Sequence, residues 1–159
     1  MNTILAAIDY SRISRQVLAT AVELARGAGD RVVVMNVVQP PTLVTDVSPL
    51  VGEVLQFTAE IERASRIHLR RIQKRLSSRG ISVHTICHQG FPVVHILAQA
   101  EELGARYIVL GSHGHNAFYD LVAGSTASGV LKRATCPVVV VPAVPAKPKR
   151  SRRRSKTRH

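Results

Sequence analysis

Gly111, Ser112, His113 and Gly114 follow directly on an apolar run, Tyr107, Ile108, Val109 and Leu110, and nine residues separate Gly114 from Gly124, Ser125 and Thr126. Glycines at the end of a strand and the start of a helix let backbone N–H groups approach an anion that side chains would block. The chemistry of this spacing is phosphate binding through the backbone, with Ser125 and Thr126 adding hydroxyl donors. The same glycines also fit a simple turn around a loop. No Gly-Lys-Ser/Thr follows, so this is not a Walker A loop, and the dinucleotide fingerprint is absent too. His113 and His115 flank Gly114 and fit either a phosphate contact or two solvated loop histidines. As a metal pair they lack partners at a ligating spacing.

Asp9 is the second feature with chemical reach. It ends a short apolar run, residues 3–8. A carboxylate there fits two roles: an acceptor for ribose hydroxyls or an adenine, or an acid that interacts with the dipole of the following helix. No serine stands in a nucleophile elbow, and neither cysteine pairs with a histidine at a catalytic spacing. His68, His84, His88 and His95 read as structural or surface residues.

The elements that must position these residues follow from the apolar periodicity. Residues 3–8, 31–38, 81–88, 106–110 and 137–141 read as strands, rich in Val and Ile. Helices fall between them. Ser11 is a candidate cap for the first, whose buried stripe is Val17, Leu18, Ala21, Leu24, Ala25 and Ala28. The second, residues 53–78, carries Val54, Phe57, Ile61, Ala64, Ser65, Leu69, Ile72 and Leu76 as its apolar stripe. Arg63, Arg66, Arg70, Arg71, Lys74 and Arg75 fall largely on its other faces. Pro92 opens the third, where its missing N–H costs little. The fourth is short, from Ser125 to Arg133. Strands without a polar face, alternating with helices, predict an α/β fold: a doubly wound, five-stranded parallel sheet in the order 3-2-1-4-5, with helices on both faces. Ligands in such sheets bind at the carboxyl ends of the strands, where the order reverses. Here that point lies between strands 1 and 4, and so between Asp9 and Gly111.

Composition bounds the rest. The chain has 159 residues, 45% of them hydrophobic, and no tryptophan. That predicts one domain, residues 1–143, with an aliphatic core, followed by a tail, residues 144–159, too polar to bury a core. No run approaches the roughly 20 apolar residues of a membrane span. With no signal-peptide pattern, Cys87 and Cys136 are expected to be buried and reduced in the cytoplasm. The formal net charge is +12, but eight of the cations lie in residues 147–159, which hold no acid.

These residues together resemble the universal stress protein family, over about residues 3–143. The resemblance is carried by Asp9 and Ser11 after the first strand, Gly90 and Pro92, the glycine motif from Gly111 to Ser125, and the closing Cys136-Pro137-Val138-Val139-Val140-Val141. The glycine motif is that of the nucleotide-binding branch, whose members bind ATP. The resemblance therefore implies a stress-response regulatory protein that binds ATP, with Mg²⁺ as its counterion. Asp9 is then the acid near ribose and adenine, and Ala7, Val37 and Leu110 line the adenine pocket. Gly111, Gly114, Gly124, Ser125 and Thr126 form the phosphate loop, with His113 and His115 where many members carry arginines. It also implies a homodimer through antiparallel pairing of Val138–Val141, and regulation through nucleotide-dependent contacts with a protein partner. Arg106 stands where an Asp is frequent, and Tyr10 replaces a usually small residue, narrowing the pocket entrance.

Two rival functions remain open. A slow ATP hydrolase on the same fold would need a base or a positioned water, for which Asp9, Asp120, His113 and His115 are the candidates. A nucleic-acid-associated protein would instead use its tail, with Lys147, Lys149, Arg150, Arg152, Arg153, Arg154, Lys156 and Arg158 as phosphate contacts. No aromatic residue is interleaved with these cations, so the binding would be insensitive to base sequence and sensitive to salt. Deletion of residues 147–159 should then abolish low-salt retention on a DNA column; unchanged retention would exclude the tail as the contact.

Overall fold

The computed structural model describes residues 1–40, 51–112 and 124–143. Five strands and four helices alternate: β1 (Thr3–Ala7), α1 (Ser14–Ala28), β2 (Arg31–Val38), α2 (Val51–Ser77), β3 (Val83–Gln89), α3 (Pro92–Glu102), β4 (Ala105–Gly111), α4 (Ser125–Leu131) and β5 (Val138–Val141). The strands form one sheet in the order β3-β2-β1-β4-β5. Every neighbouring pair is parallel. This is the predicted topology, and β1 lies at its centre.

Alternation along the strands sorts the core into two layers. Ile4, Ala6, Val32, Val34 and Val109 point to one face, where they pack with Val17, Leu18 and Ala21 of α1 and Leu69 and Leu76 of α2. Leu5, Val33, Met35 and Ile108 point to the other, against Ile96 and Ala100 of α3 and Ala127 and Val130 of α4. Full burial of each large aliphatic chain contributes about 1.5–3 kcal/mol. Such a sheet needs helices on both sides, which is why its central strands β1 and β2 lack a polar face. A Cβ on Gly129 would lie 2.8 Å from Val93 Cγ2, so the glycine permits the close approach of α3 and α4. Gly29 ends α1 at φ 67°, and its N–H donates to Ala25 O.

Four expectations are corrected. Ser11 does not cap α1: Ile13 holds the cap position without a side-chain bond, and Ser14 Oγ ties the helix start to Asp9 instead. The upper part of the α2 stripe is not buried, since Phe57 and Ile61 are exposed. The reason is register. Glu62 of α2 accepts a hydrogen bond from Gln89, the last residue of β3, so the helix before it runs past the end of that strand, and Thr58 is its one described residue there that stays buried. Ile81 is buried but precedes β3, because its N–H closes the end of α2 on Leu76 O. Cys87 and Cys136 are free thiols, but only half-buried. Burial still raises the Cys136 pKa above its ordinary value.

At the amino ends of the central strands, Asp30 gathers three elements. Its Oδ1 accepts from the N–H of Asn2 at 2.9 Å and its Oδ2 from Arg106 Nη1 at 3.1 Å. The atypical Arg106 thus has a defined partner, and it also lies 5.4 Å from the centre of the Tyr107 ring. The bond from the Asn2 backbone is the main reason that the Asp30 pKa is lowered, with Arg106 adding to it. A carboxyl with a lowered folded-state pKa stabilises the fold above its unfolded pKa of about 4, and that contribution disappears as pH falls through the folded value. Asp30→Asn should therefore lower the urea midpoint at pH 7. The gap from the parent should close as pH drops below about 4; a gap that persists in acid would contradict this role.

Candidate functional site

At the carboxyl ends of β1, β2 and β4 the two helical layers diverge, because α1 and α3 leave the sheet on opposite faces. The space between them is a cavity of about 720 Å³. Its base is aliphatic: Ala7, Met35, Val37, Leu110 and Ile96 reach it. Asp9, Gly111 and Ser112 stand at the strand ends, and Gly124, Ser125, Thr126 and Ala127 close the opposite side. An apolar slot beside a carboxylate and a run of backbone amides suits a ligand with a flat apolar part, hydroxyls and an anionic end.

Of the residues singled out from sequence, Ala7, Asp9, Val37, Leu110, Gly111, Gly124, Ser125 and Thr126 all line this one cavity. His113, Gly114 and His115 lie outside the described residues, as do Asp120 and the cationic tail. Asp9 is held in place: its Oδ1 accepts from the N–H of Ser11 at 2.9 Å and from Ser14 Oγ at 3.0 Å. These two donors orient the carboxylate toward the strand ends.

Gly124 differs from the expected phosphate donor. Its N–H donates to Ser112 O at 2.6 Å, and the N–H of Ser112 donates to Val141 O at 2.8 Å. Both amides therefore staple β4 to β5 and to the start of α4. The amides that α4 itself leaves without a helical acceptor are those of Ser125, Thr126 and Ala127, in its first turn. The cavity side of this segment is built from those residues, with Gly124 fixing where they lie.

The structure adds Ser65, His68 and Asn36 to the site and places Tyr10 on its lining, where the resemblance put it at the entrance. Ser65 and His68 of α2, Asn36 of β2 and Tyr10 after β1 all line the cavity. Four of their polar groups form one chain. Asn36 Nδ2 donates to Ile8 O at 2.8 Å, which turns its Oδ1 toward Ser65. Ser65 Oγ donates to that Oδ1 at 2.8 Å. With its proton so used, Ser65 Oγ accepts from the Tyr10 hydroxyl at 2.8 Å, and Ser65 O lies 3.0 Å from the same hydroxyl. Burial raises the Tyr10 pKa, so the phenol stays protonated and remains a donor. Tyr10 also adopts φ 63°, a left-handed conformation that is strained for a bulky side chain. The hydrogen bonds across to α2, and contact with the His68 ring at 5.2 Å, hold it there. A signal was present in sequence: Asn36 is the one polar residue inside the run 32–38. Its partner could not be read from the pattern.

A family model described as the universal stress protein family matches residues 1–142. The universal stress protein YxiE of Bacillus subtilis is 29% identical over 147 residues, spanning 88% of this chain and 98% of that protein. Universal stress protein UspA from Lactobacillus plantarum superposes with a TM-score of 0.79 at 22% identity, covering 88% of this chain and 97% of the other. A universal stress protein solved in complex with cAMP has a TM-score of 0.61 at 18% identity, covering 89% and 96%. At such identities the two solved structures attest the fold.

Removal of the Ser65 hydroxyl would leave Asn36 Oδ1 without its donor, while the Tyr10 hydroxyl would keep the Ser65 carbonyl as its acceptor. Ser65→Ala should cost about 1–3 kcal/mol of stability, the usual penalty for stranded buried polar groups. Denaturant unfolding tests this; a midpoint equal to the parent's would show that the chain of bonds is not structural.

Proposed function

We propose that this chain, which belongs to the universal stress protein family, is an ATP-binding regulatory protein whose contacts change with nucleotide occupancy. The observation that carries the reading is the convergence of Ala7, Val37 and Leu110 with Asp9 and with Gly111 and Gly124–Thr126 on one cavity at the reversal of strand order. In this reading the adenine occupies the aliphatic slot. Asp9 accepts from the ribose hydroxyls, its orientation set in advance by Ser11 and Ser14. The phosphates lie toward the first turn of α4, where backbone amides of Ser125, Thr126 and Ala127 and the Ser125 and Thr126 hydroxyls donate. Gly114, His113 and His115 are assigned to the same phosphate end by their position in the sequence motif. Mg²⁺ accompanies the triphosphate and offsets its charge.

The sheet supports a route from occupancy to partner contacts. Ser112 lies between the cavity and β5, since its N–H donates to Val141 O and its Oγ accepts from the N–H of Ala143 at 3.1 Å. β5 is the edge strand of the sheet, and Val138, Val139 and Val140 are only half-buried. Pairing of two such edges in a homodimer would cover them, as exposed apolar edges are otherwise prone to aggregate. A ligand that shifts Gly111 or Ser112 would then act directly on the dimer seam.

The test is titration of the purified chain with ATP, with ADP and cAMP as competitors, and mass analysis of any nucleotide that co-purifies. Saturable ATP binding is expected. Gly114→Val and Gly124→Val should weaken it at least tenfold, with thermal melts separating a lost ligand from a lost fold. Absence of adenine-nucleotide binding in the parent would exclude the proposal.

A further inference from the structure

The outer face of α2 carries a charge pattern that the nucleotide cavity does not use. Arg63, Arg66, Arg70, Arg71, Lys74, Arg75 and, just past the helix, Arg79 are all exposed. No carboxylate occurs between Glu62 and Glu101, so neither α2 beyond Glu62, nor the turn after it, nor β3 beneath it supplies a counter-charge. Among the described residues only Arg66 of the seven has an ion-pair partner, Glu62. Before the tail, the chain outside residues 63–79 holds seven basic residues and ten acidic ones. The whole positive excess of residues 1–146 therefore resides on this one segment.

Helical geometry turns the segment into a ridge. Ser65, Leu69 and Leu76 are buried against the sheet. At 100° per residue, Arg63, Arg70 and Lys74 lie opposite them, along the outermost line, with Arg66 and Arg71 to either side. Arg63 to Lys74 spans about 16 Å at 1.5 Å per residue. Neighbouring cations on the ridge lie within about a Debye length of one another and repel at physiological salt. A rigid line of negative charge relieves that repulsion, and a nucleic-acid backbone has several phosphates in 16 Å.

We propose that the α2 ridge is a docking surface for the phosphate backbone of double-stranded nucleic acid, separate from both the nucleotide cavity and the tail. The contact is to the backbone and not to the bases, because between Arg63 and Lys74 the outermost line carries only Ile67 besides the cations, and no aromatic or amide side chain. A membrane surface fits less well. A helix that lies in a lipid interface inserts its apolar face, and the apolar face of α2 from Ser65 onward is already spent on β2 and β3.

The test uses the full chain and a fluorescent 25-base-pair duplex of arbitrary sequence, titrated at several salt concentrations. The triple variant Arg63→Gln, Arg70→Gln, Lys74→Gln is compared with the triple variant Arg15→Gln, Arg26→Gln, Lys132→Gln. Both lose three positive charges and both keep the tail. The ridge variant should bind at least tenfold more weakly at low salt, and its slope of log affinity against log salt should shrink by about 2–3, the value for three lost phosphate contacts. The control should stay within threefold of the parent. Equal losses in the two variants would assign the binding to net charge or the tail and overturn the ridge. So would a parent that binds vesicles of anionic lipid but no duplex. Circular dichroism and thermal melts of both variants establish that each is folded; the positions are solvent-facing, so folding should be unchanged.

Discussion

Burial of the sheet on both faces governs everything else in this molecule. Successive side chains of β1 and β2 alternate between the α1/α2 layer and the α3/α4 layer, and both layers are apolar. No position within the body of a strand has room for an unpaired polar group, which would cost a desolvation penalty there. Chemistry is thus displaced to the carboxyl ends, where the strands run out and the helices part. Asn36 is the exception that fits the rule. It is a buried amide in β2, tolerated because Ile8 O and Ser65 Oγ satisfy both ends of it. In doing so it joins the residue just past β1 to the middle of α2.

That junction gives α2 two roles at different heights. Near Ser65 and His68 its inner side forms a wall of the cavity, pinned by Tyr10 in its left-handed conformation. Before Glu62 the helix runs past the end of β3, where Phe57 is exposed although Thr58 is buried, and Ile61 borders the cavity. Its outer side collects the cations of residues 63–79. The helix therefore meets the cavity on one face and a strongly positive surface on the other. The opposite end of the sheet is built differently. There Asp30 draws the Asn2 N–H and Arg106 together, and its lowered pKa marks a contact that stabilises the fold and lies far from the cavity.

The glycine motif divides in a similar way. Gly124 looks like a phosphate donor when judged by spacing, yet its N–H is committed to Ser112 O. Its value lies in position: it sets the start of α4 beside the end of β4, so that the next three amides line the cavity. Ser112 in turn connects that cavity to the edge strand β5. Family membership, a parallel 3-2-1-4-5 sheet and a cavity at the strand ends belong together in this chain.

The sequence by itself determined the order of elements, the parallel sheet and the place of the cavity. Periodicity and strand-end glycines are local signals, and right-handed crossovers leave few topologies to choose from. It also marked Asp9 and Gly111, because strand ends can be counted along the chain, while Ala7, Val37 and Leu110 were implied by the family resemblance. Only the tertiary structure decided that the Ser14 hydroxyl joins the Ser11 N–H in holding Asp9, that Ser65 pairs with Asn36 and Tyr10, and that Phe57 is left exposed. Those outcomes depend on the height at which α2 lies against β2 and β3. Helical spacing fixes which face of a helix is apolar, but not how far along its neighbour it packs.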